Sequence, residues 1–183
     1  MSGLKSLEDI REALKNCRDC ELWKEATQAV PGEGKPGSLI MVVGEAPGRE
    51  EDAQGRPFVG RAGKLLRATL NNLGAKEVYI TNVVKHRPPN NRKPKEKEVR
   101  ACSKYLLLEI EAVKPKVILA LGSTACYFFT GDKKVGEAFD KDYEFKGVKV
   151  VVGYHPAAVL RNPNLKGRFE EQIKKALDAA LKP

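Results

Sequence analysis

Short, almost wholly apolar runs alternate along this chain with segments whose apolar residues recur every three or four positions. The run from Ser38 to Val43, stopped by Gly44, predicts a strand buried on both faces. Leu65, Leu66, Thr69, Leu70 and Leu73 then mark a helix with Gly74 in the stop position. Val78 to Val84 reads as a second strand, Val117 to Leu121 as a third and Val148 to Val152 as a fourth. Between the second and third strands, a polar loop with Pro88, Pro89 and Pro94 leads into a helix carrying Val99, Cys102, Leu106 and Ile110, and Pro94 suits its first turn. A short helix capped by Ser123 follows the third strand, and Phe169, Ile173 and Leu177 line a closing helix. At the other end, Leu7, Ile10 and Leu14 stand behind Ser6, whose hydroxyl can cap the first turn with Asp9 three residues on; this helix is expected to end near Cys17.

Strands alternating with helices imply a parallel sheet covered on both sides, an α/β fold. In such sheets ligands bind in the loops beyond the carboxyl ends of the strands. The unusual residues of this sequence stand there: Gly44 to Gly48 after the first strand, Asn82 to His86 at the end of the second, and His155-Pro156 after the fourth.

At 183 residues with 42% apolar content, the chain suits one core, so residues 1–183 are read as a single domain. No apolar run approaches the roughly 18–20 residues of a membrane span. The polar stretch from Met1 to Asp9 does not resemble a secretory signal. An intracellular, cytoplasmic and nucleoid-associated location follows, in which the four cysteines stay thiolates or metal ligands. The net charge of +9 suits a polyanionic partner, although a merely soluble basic protein has the same sign. Clustering favours the polyanion: Lys85 to Arg100 holds seven basic residues against two acidic ones, a local excess of five charges.

Cys17-Arg-Asp-Cys20 is a pair whose sulfurs reach one metal from a single turn, as a zinc site, a cluster site or a redox dithiol would require. Cys126 lies in an apolar helical stretch and reads as an inert core thiol. His86 and Cys102 flank the basic loop. Cys17, Cys20, His86 and Cys102 therefore form a candidate three-thiol, one-imidazole site, against which stands His86 as a solvated residue touching phosphate.

Four blocks in order, Gly44-Glu-Ala-Pro-Gly-Arg-Glu-Glu-Asp52, Gly55-Arg-Pro-Phe-Val-Gly60, Thr81 to Arg92 and His155 to Pro163, resemble the family 4, iron–sulfur uracil-DNA glycosylases. The resemblance runs collinearly from about Cys17 to Asn162. It implies a three-layer α/β/α fold around a four-stranded parallel sheet and a [4Fe–4S] cluster ligated at Cys17, Cys20, His86 and Cys102. His86 departs from the family pattern, which carries cysteine there; imidazole can replace thiolate on cluster iron. Cys126 is the alternative fourth ligand. The cluster's expected role is structural, pinning the N-terminal helix to a loop too rich in proline and lysine to hold itself.

The implied activity is hydrolysis of the N-glycosidic bond of flipped-out deoxyuridine, leaving an abasic site, by a monofunctional glycosylase in base excision repair. Phe58 is expected to stack on the extruded base and Asn82 to read its edge, with the backbone at Gly44, Glu45 and Ala46 completing the pocket. His155 would donate to uracil O2, and Glu45 would orient the attacking water, although the better-known enzymes use an aspartate at the position of Ala46. Glu51 is read as a guard against the thymine methyl, and Asp52 as a turn cap. Lys85, Arg87 and Arg92 are expected on phosphates, and Leu160 and Arg161 in or beside the gap left in the duplex. Expected partners are uracil-containing DNA, single- or double-stranded, and a sliding clamp; the chain is expected to be monomeric and away from membranes. The rival reading is a uracil-DNA binding or crosslinking protein without turnover. The crosslinking relatives carry an extra histidine in the basic loop, where this chain has Pro88 to Lys93. A broader range, toward hypoxanthine or xanthine, belongs to family 5 relatives, which carry aspartate at the position of Glu45.

Overall fold

The computed structural model describes Gly3 and residues 5–183. Helix α1 (Leu7–Lys15) opens on a capping box: Ser6 Oγ accepts from the Asp9 N–H, and Asp9 accepts in turn from the Ser6 N–H. Then follow β1 (Ile40–Gly44), α2 (Arg49–Gln54), α3 (Arg61–Asn72), β2 (Val78–Asn82), α4 (Glu96–Val113), β3 (Val117–Leu121), α5 (Ser123–Thr130), α6 (Val135–Ala138), β4 (Tyr143–Phe145), β5 (Val148–Gly153), α7 (Pro156–Arg161) and α8 (Lys166–Leu181).

The sheet runs β2-β1-β3-β5-β4. Its first four strands in that order are parallel, as the alternation predicts; β4 pairs antiparallel to β5 at the edge. The sheet thus has five strands rather than four. The extra strand escapes the sequence because it is three residues long and half-exposed, so it shows no apolar run. It turns back through Lys146 and Gly147, both at positive φ (49° and 83°), a two-residue hairpin that suits the twist of paired strands.

Side-chain alternation along the parallel strands divides the interior into two cores. Met41, Val43, Ile118 and Ala120 face α1, α4 and α5, meeting Leu14, Leu106 and Phe129. Ile40, Val42, Val117 and Leu119 face α3 and α8, meeting Leu66, Phe169 and Ile173. Both faces are covered, which makes three layers.

Among the element boundaries that differ from expectation, three lie near the carboxyl ends of the strands or the basic loop. β2 stops at Asn82: the Val83 N–H makes the last ladder bond, to the Gly44 carbonyl, and the Val84 N–H then turns to the Glu45 carbonyl. Pro94 lies outside α4, whose cap is Lys95, with the Glu98 carboxylate accepting the Lys95 N–H. Ser123 is the first residue of α5 rather than its cap, which is Gly122.

Candidate active site

The carboxyl ends of the parallel strands carry the site. Gly44 and Asn82 are paired neighbours in the sheet register, and Leu121 lies beside Gly153. A side chain on Gly44 would run into the Phe58 ring and the Asn82 amide, so glycine lets the aromatic ring close on the end of the sheet.

Phe58 has φ 52°, a left-handed conformation that costs a non-glycine residue about 1–3 kcal/mol and so needs enforcement by its surroundings. The surroundings supply it. The Glu51 carboxylate accepts from the N–H groups of Gly48 (3.0 Å), Val59 (2.8 Å) and Gly60 (2.7 Å). Arg67 donates to the carbonyls of Phe58 (2.9 Å) and Pro57 (2.8 Å) and pairs with Glu33. Gly63 leaves no room for a Cβ against the Phe58 carbonyl, so α3 abuts the loop directly.

His155 caps α7 by accepting the Ala157 N–H at Nδ1 (3.1 Å). In a neutral ring that leaves the proton on Nε2, a donor free for another partner. Burial, reinforced by Arg161 and opposed by Glu51, pulls the imidazole pKa down to about 4, so the ring is neutral at physiological pH. An unfolded histidine titrates near 6.5. The unfolded chain therefore binds the extra proton between those values, and this group's contribution to stability falls as pH drops from about 6.5 to about 4. The ring stacks on Phe58 at a centroid distance of 5.7 Å.

A cleft of about 600 Å³ opens over this rim, walled by Glu45, Ala46, Pro88, Gly122, Tyr154 and His155. That volume is in the range of small-molecule sites. Glu45 accepts a hydrogen bond from the Thr124 hydroxyl (2.5 Å), which fixes its carboxylate at the cleft wall. Phe58 and Asn82 do not line the cleft; they are packed behind it, 5% and 2% exposed. The Asn82 Oδ1 is buried with no hydrogen-bond partner among the described residues. Such an acceptor costs about 1–3 kcal/mol until something donates to it.

Gly44, Phe58, Asn82 and His155 thus come together, with Glu45 and Ala46 beside them. Glu51 does not stand as a guard: its carboxylate is committed to three backbone N–H groups of the Phe58 loop. Asp52 is buried and accepts the Thr27 N–H, tying down the segment before β1 rather than capping a local turn.

The basic residues divide. Lys85 is not at the surface at all. It is fully buried, and its Nζ donates to Glu109 (2.5 Å), Thr81 Oγ1 and the Asn82 carbonyl, so it cannot meet a phosphate. The Glu109 carboxylate also accepts from Tyr79, Thr81 and the Gly32 N–H. Arg92 forms a two-pronged pair with the buried Glu98 (2.8 and 2.9 Å) while flanking the cleft, and Arg87 is bonded to Asn91. The proline-rich loop therefore has its own internal bracing, contrary to expectation. Leu160 and Arg161 on α7 are exposed, and Arg161 lines the cleft.

Cys17 and Cys20 pack against the core cluster that contains Cys102. Cys102 is buried on α4, and the two N-terminal thiols act on it electrostatically. Burial pushes the Cys102 thiol up to about 12 and raises Cys20 as well. His86 is buried one residue beyond Lys85, but its electrostatic neighbour is Asp52. Cys126 is buried and bonds within α5 to Thr130. Among the described residues no group of three or more ligands is already drawn to metal spacing. The chemistry of three thiols on α4 and the segment after α1 nonetheless suits a thiolate-bound cluster.

Residues 31–180 match the family model for the uracil DNA glycosylase superfamily. This chain belongs to that superfamily. Within it, the chain stands with the type-4 members. It is 48% identical to the type-4 uracil-DNA glycosylase of Sulfurisphaera tokodaii, over 98% of this chain and 87% of the relative. It is 46% identical to that of Archaeoglobus fulgidus, over 94% and 92%, and 47% identical to that of Pyrobaculum aerophilum, over 91% of each. In this type-4 member, the residues that sequence reasoning missed are those that hold others in place. Arg67, Gly63 and Thr124 look, in the sequence, like ordinary members of amphipathic helices. Only the close approach of α3 and α5 to the rim gives them work.

Proposed function

We propose that the chain removes uracil from DNA by hydrolysing the N-glycosidic bond of a flipped-out deoxyuridine, acting as one domain and one chain. The observation that carries this reading is the unpartnered Asn82 carbonyl, buried beside Phe58 and the neutral His155. Uracil N3–H would satisfy that carbonyl while the amide NH2 donates to O4. Cytosine presents the reverse pattern and would leave both groups unpaired, a mismatch that discriminates by about 10⁴–10⁵. Seating the base against Asn82 requires the contact between Phe58 and His155 to open, which places the uracil ring on Phe58 and its O2 before the His155 Nε2–H. The Nε2–H then stabilises the charge that gathers on O2 as the bond breaks. Glu45, held by Thr124, is suited to orient water toward the sugar carbon. The direct test is alkaline cleavage of a labelled uracil-containing oligonucleotide after incubation with the protein. Strand scission at uracil is expected, and intact strands, or a stable protein–DNA adduct on a denaturing gel, would overturn the reading.

The three thiols would hold a [4Fe–4S] cluster, with the buried His86 as fourth ligand. When bound, the cluster would supply a covalent link between the segment after α1, α4 and the basic loop. Visible absorbance is expected to vanish in Cys102→Ala and to persist in Cys126→Ala, and removing the cluster should weaken DNA binding more than it lowers kcat. Unchanged DNA affinity in cluster-free protein would exclude the structural role.

Arg87, Arg161 and the exposed lysines of the loop would hold phosphates, with Leu160 entering the duplex beside the extruded base. About four such contacts imply a roughly 10²-fold fall in affinity between about 50 and 200 mM salt. A flat response in a titration monitored by anisotropy would remove this loop from the DNA footprint.

A further inference from the structure

A second groove, of about 530 Å³, lies between the first turns of α4 and α5 and shares Ser123 with the active-site cleft. Its floor is apolar, formed by Pro94, Val99 and Phe128. Its edge carries Tyr127, 46% exposed, one of three large hydrophobic side chains so exposed among the described residues. Another of the three is Leu160, on α7 next to the cleft-lining Arg161.

The charges around Tyr127 have one dominant sign. Lys93, Arg100 and Lys133 line the groove against Glu96 alone. The pair between Arg100 and Glu96 is 4.0 Å long with both side chains about three-quarters exposed, so water screens it and leaves the guanidinium available. Lys133 Nζ sits 5.0 Å from the centre of the Tyr127 ring, and Lys93 Nζ donates to Ser123 Oγ at the point where groove and cleft meet. An exposed aromatic ring among cations, continuous with a site that acts on one nucleotide, has the attributes of a stacking platform for unpaired nucleic acid.

We propose that this groove is a subsite for the DNA strand on one side of the extruded uracil. Tyr127 stacks on a neighbouring unpaired base, while Lys93, Arg100 and Lys133 hold its phosphates. The proposal rests on the uracil-removing activity for its polarity and purpose, and on the groove's own chemistry for the ligand class. A protein segment laid in the groove is the competing occupant, and it would leave DNA binding indifferent to Tyr127.

The test uses the full chain and single-stranded oligonucleotides of equal length, with uracil near the 5′ end, at the centre or near the 3′ end. Tyr127→Ala is expected to raise KM about tenfold for the central uracil and for one of the end-placed uracils, and to leave the other end and kcat unchanged. Tyr127→Phe should behave as wild type, and Lys133→Ala should reproduce the same one-sided loss more weakly. In parallel, 2-aminopurine is stepped outward from uracil; its fluorescence should be quenched at one offset by the wild type and not by Tyr127→Ala. Equal effects on all three substrates, no effect on any, or quenching that survives the alanine substitution would each overturn the subsite. The fluorescence readout needs only binding, so it judges the groove even if the wild type releases no uracil, an outcome that would count against the activity instead.

Discussion

Replacing His155 with alanine is expected to lower kcat for uracil release by about 10²–10³ while DNA affinity stays within a few-fold of wild type. A preorganised donor aimed at a developing oxyanion is typically worth about 3–4 kcal/mol. His155 meets the structural requirement, since its Nδ1 is occupied by the Ala157 N–H and its Nε2–H has no partner among the described residues. The depressed pKa, about 4, means that no proton is gained across the physiological range. The wild-type rate should accordingly show no inflection from His155 between about pH 8 and pH 5, and should fall only as pH approaches 4. Single-turnover kinetics separate the chemical step from binding and give the decisive comparison. A loss of less than tenfold, or an inflection near the ordinary histidine pKa, would take His155 out of charge stabilisation.

The second large effect is on stability. Lys85→Met is expected to destabilise the protein by about 3–5 kcal/mol, because it leaves the buried Glu109 carboxylate without its cation. For a chain of this size that corresponds to a fall in Tm of roughly 6–20 °C. Pairing it with Glu109→Gln should recover part of the loss, since the amide oxygen still accepts from Tyr79, Thr81 and Gly32 without a charge to solvate. A lysine on a phosphate would behave in the opposite manner: Tm unchanged, and the slope of log affinity against log salt reduced by about one. Thermal unfolding and salt titration of the same variant decide between the two roles.

Lys85 also marks where sequence reasoning runs out. In the sequence it heads a stretch of seven basic residues, and charge clustering assigns it to the surface with the rest. Nothing local distinguishes it. Its partner Glu109 lies 24 residues away on α4, and only the packing of that helix on β2 brings the two together. Glu51 illustrates the same limit. Its place in the first motif points to the pocket, whereas its carboxylate turns to the N–H groups of Val59 and Gly60 in the next loop. The edge strand β4 was illegible for another reason, since three half-exposed residues bury too little to leave a pattern.

The sequence alone determined the α/β class, the order of the parallel strands' segments, and the rim on which Gly44, Asn82 and His155 would stand. Those properties follow from local periodicity and from glycine or proline at strand and helix ends, which act within a few residues. The tertiary structure decided which charges face water, which carboxylates brace a loop, and that Phe58 closes on Asn82 and His155. Such properties depend on contacts between residues far apart in the chain, and the energy of a charge or an amide is set by what surrounds it after folding.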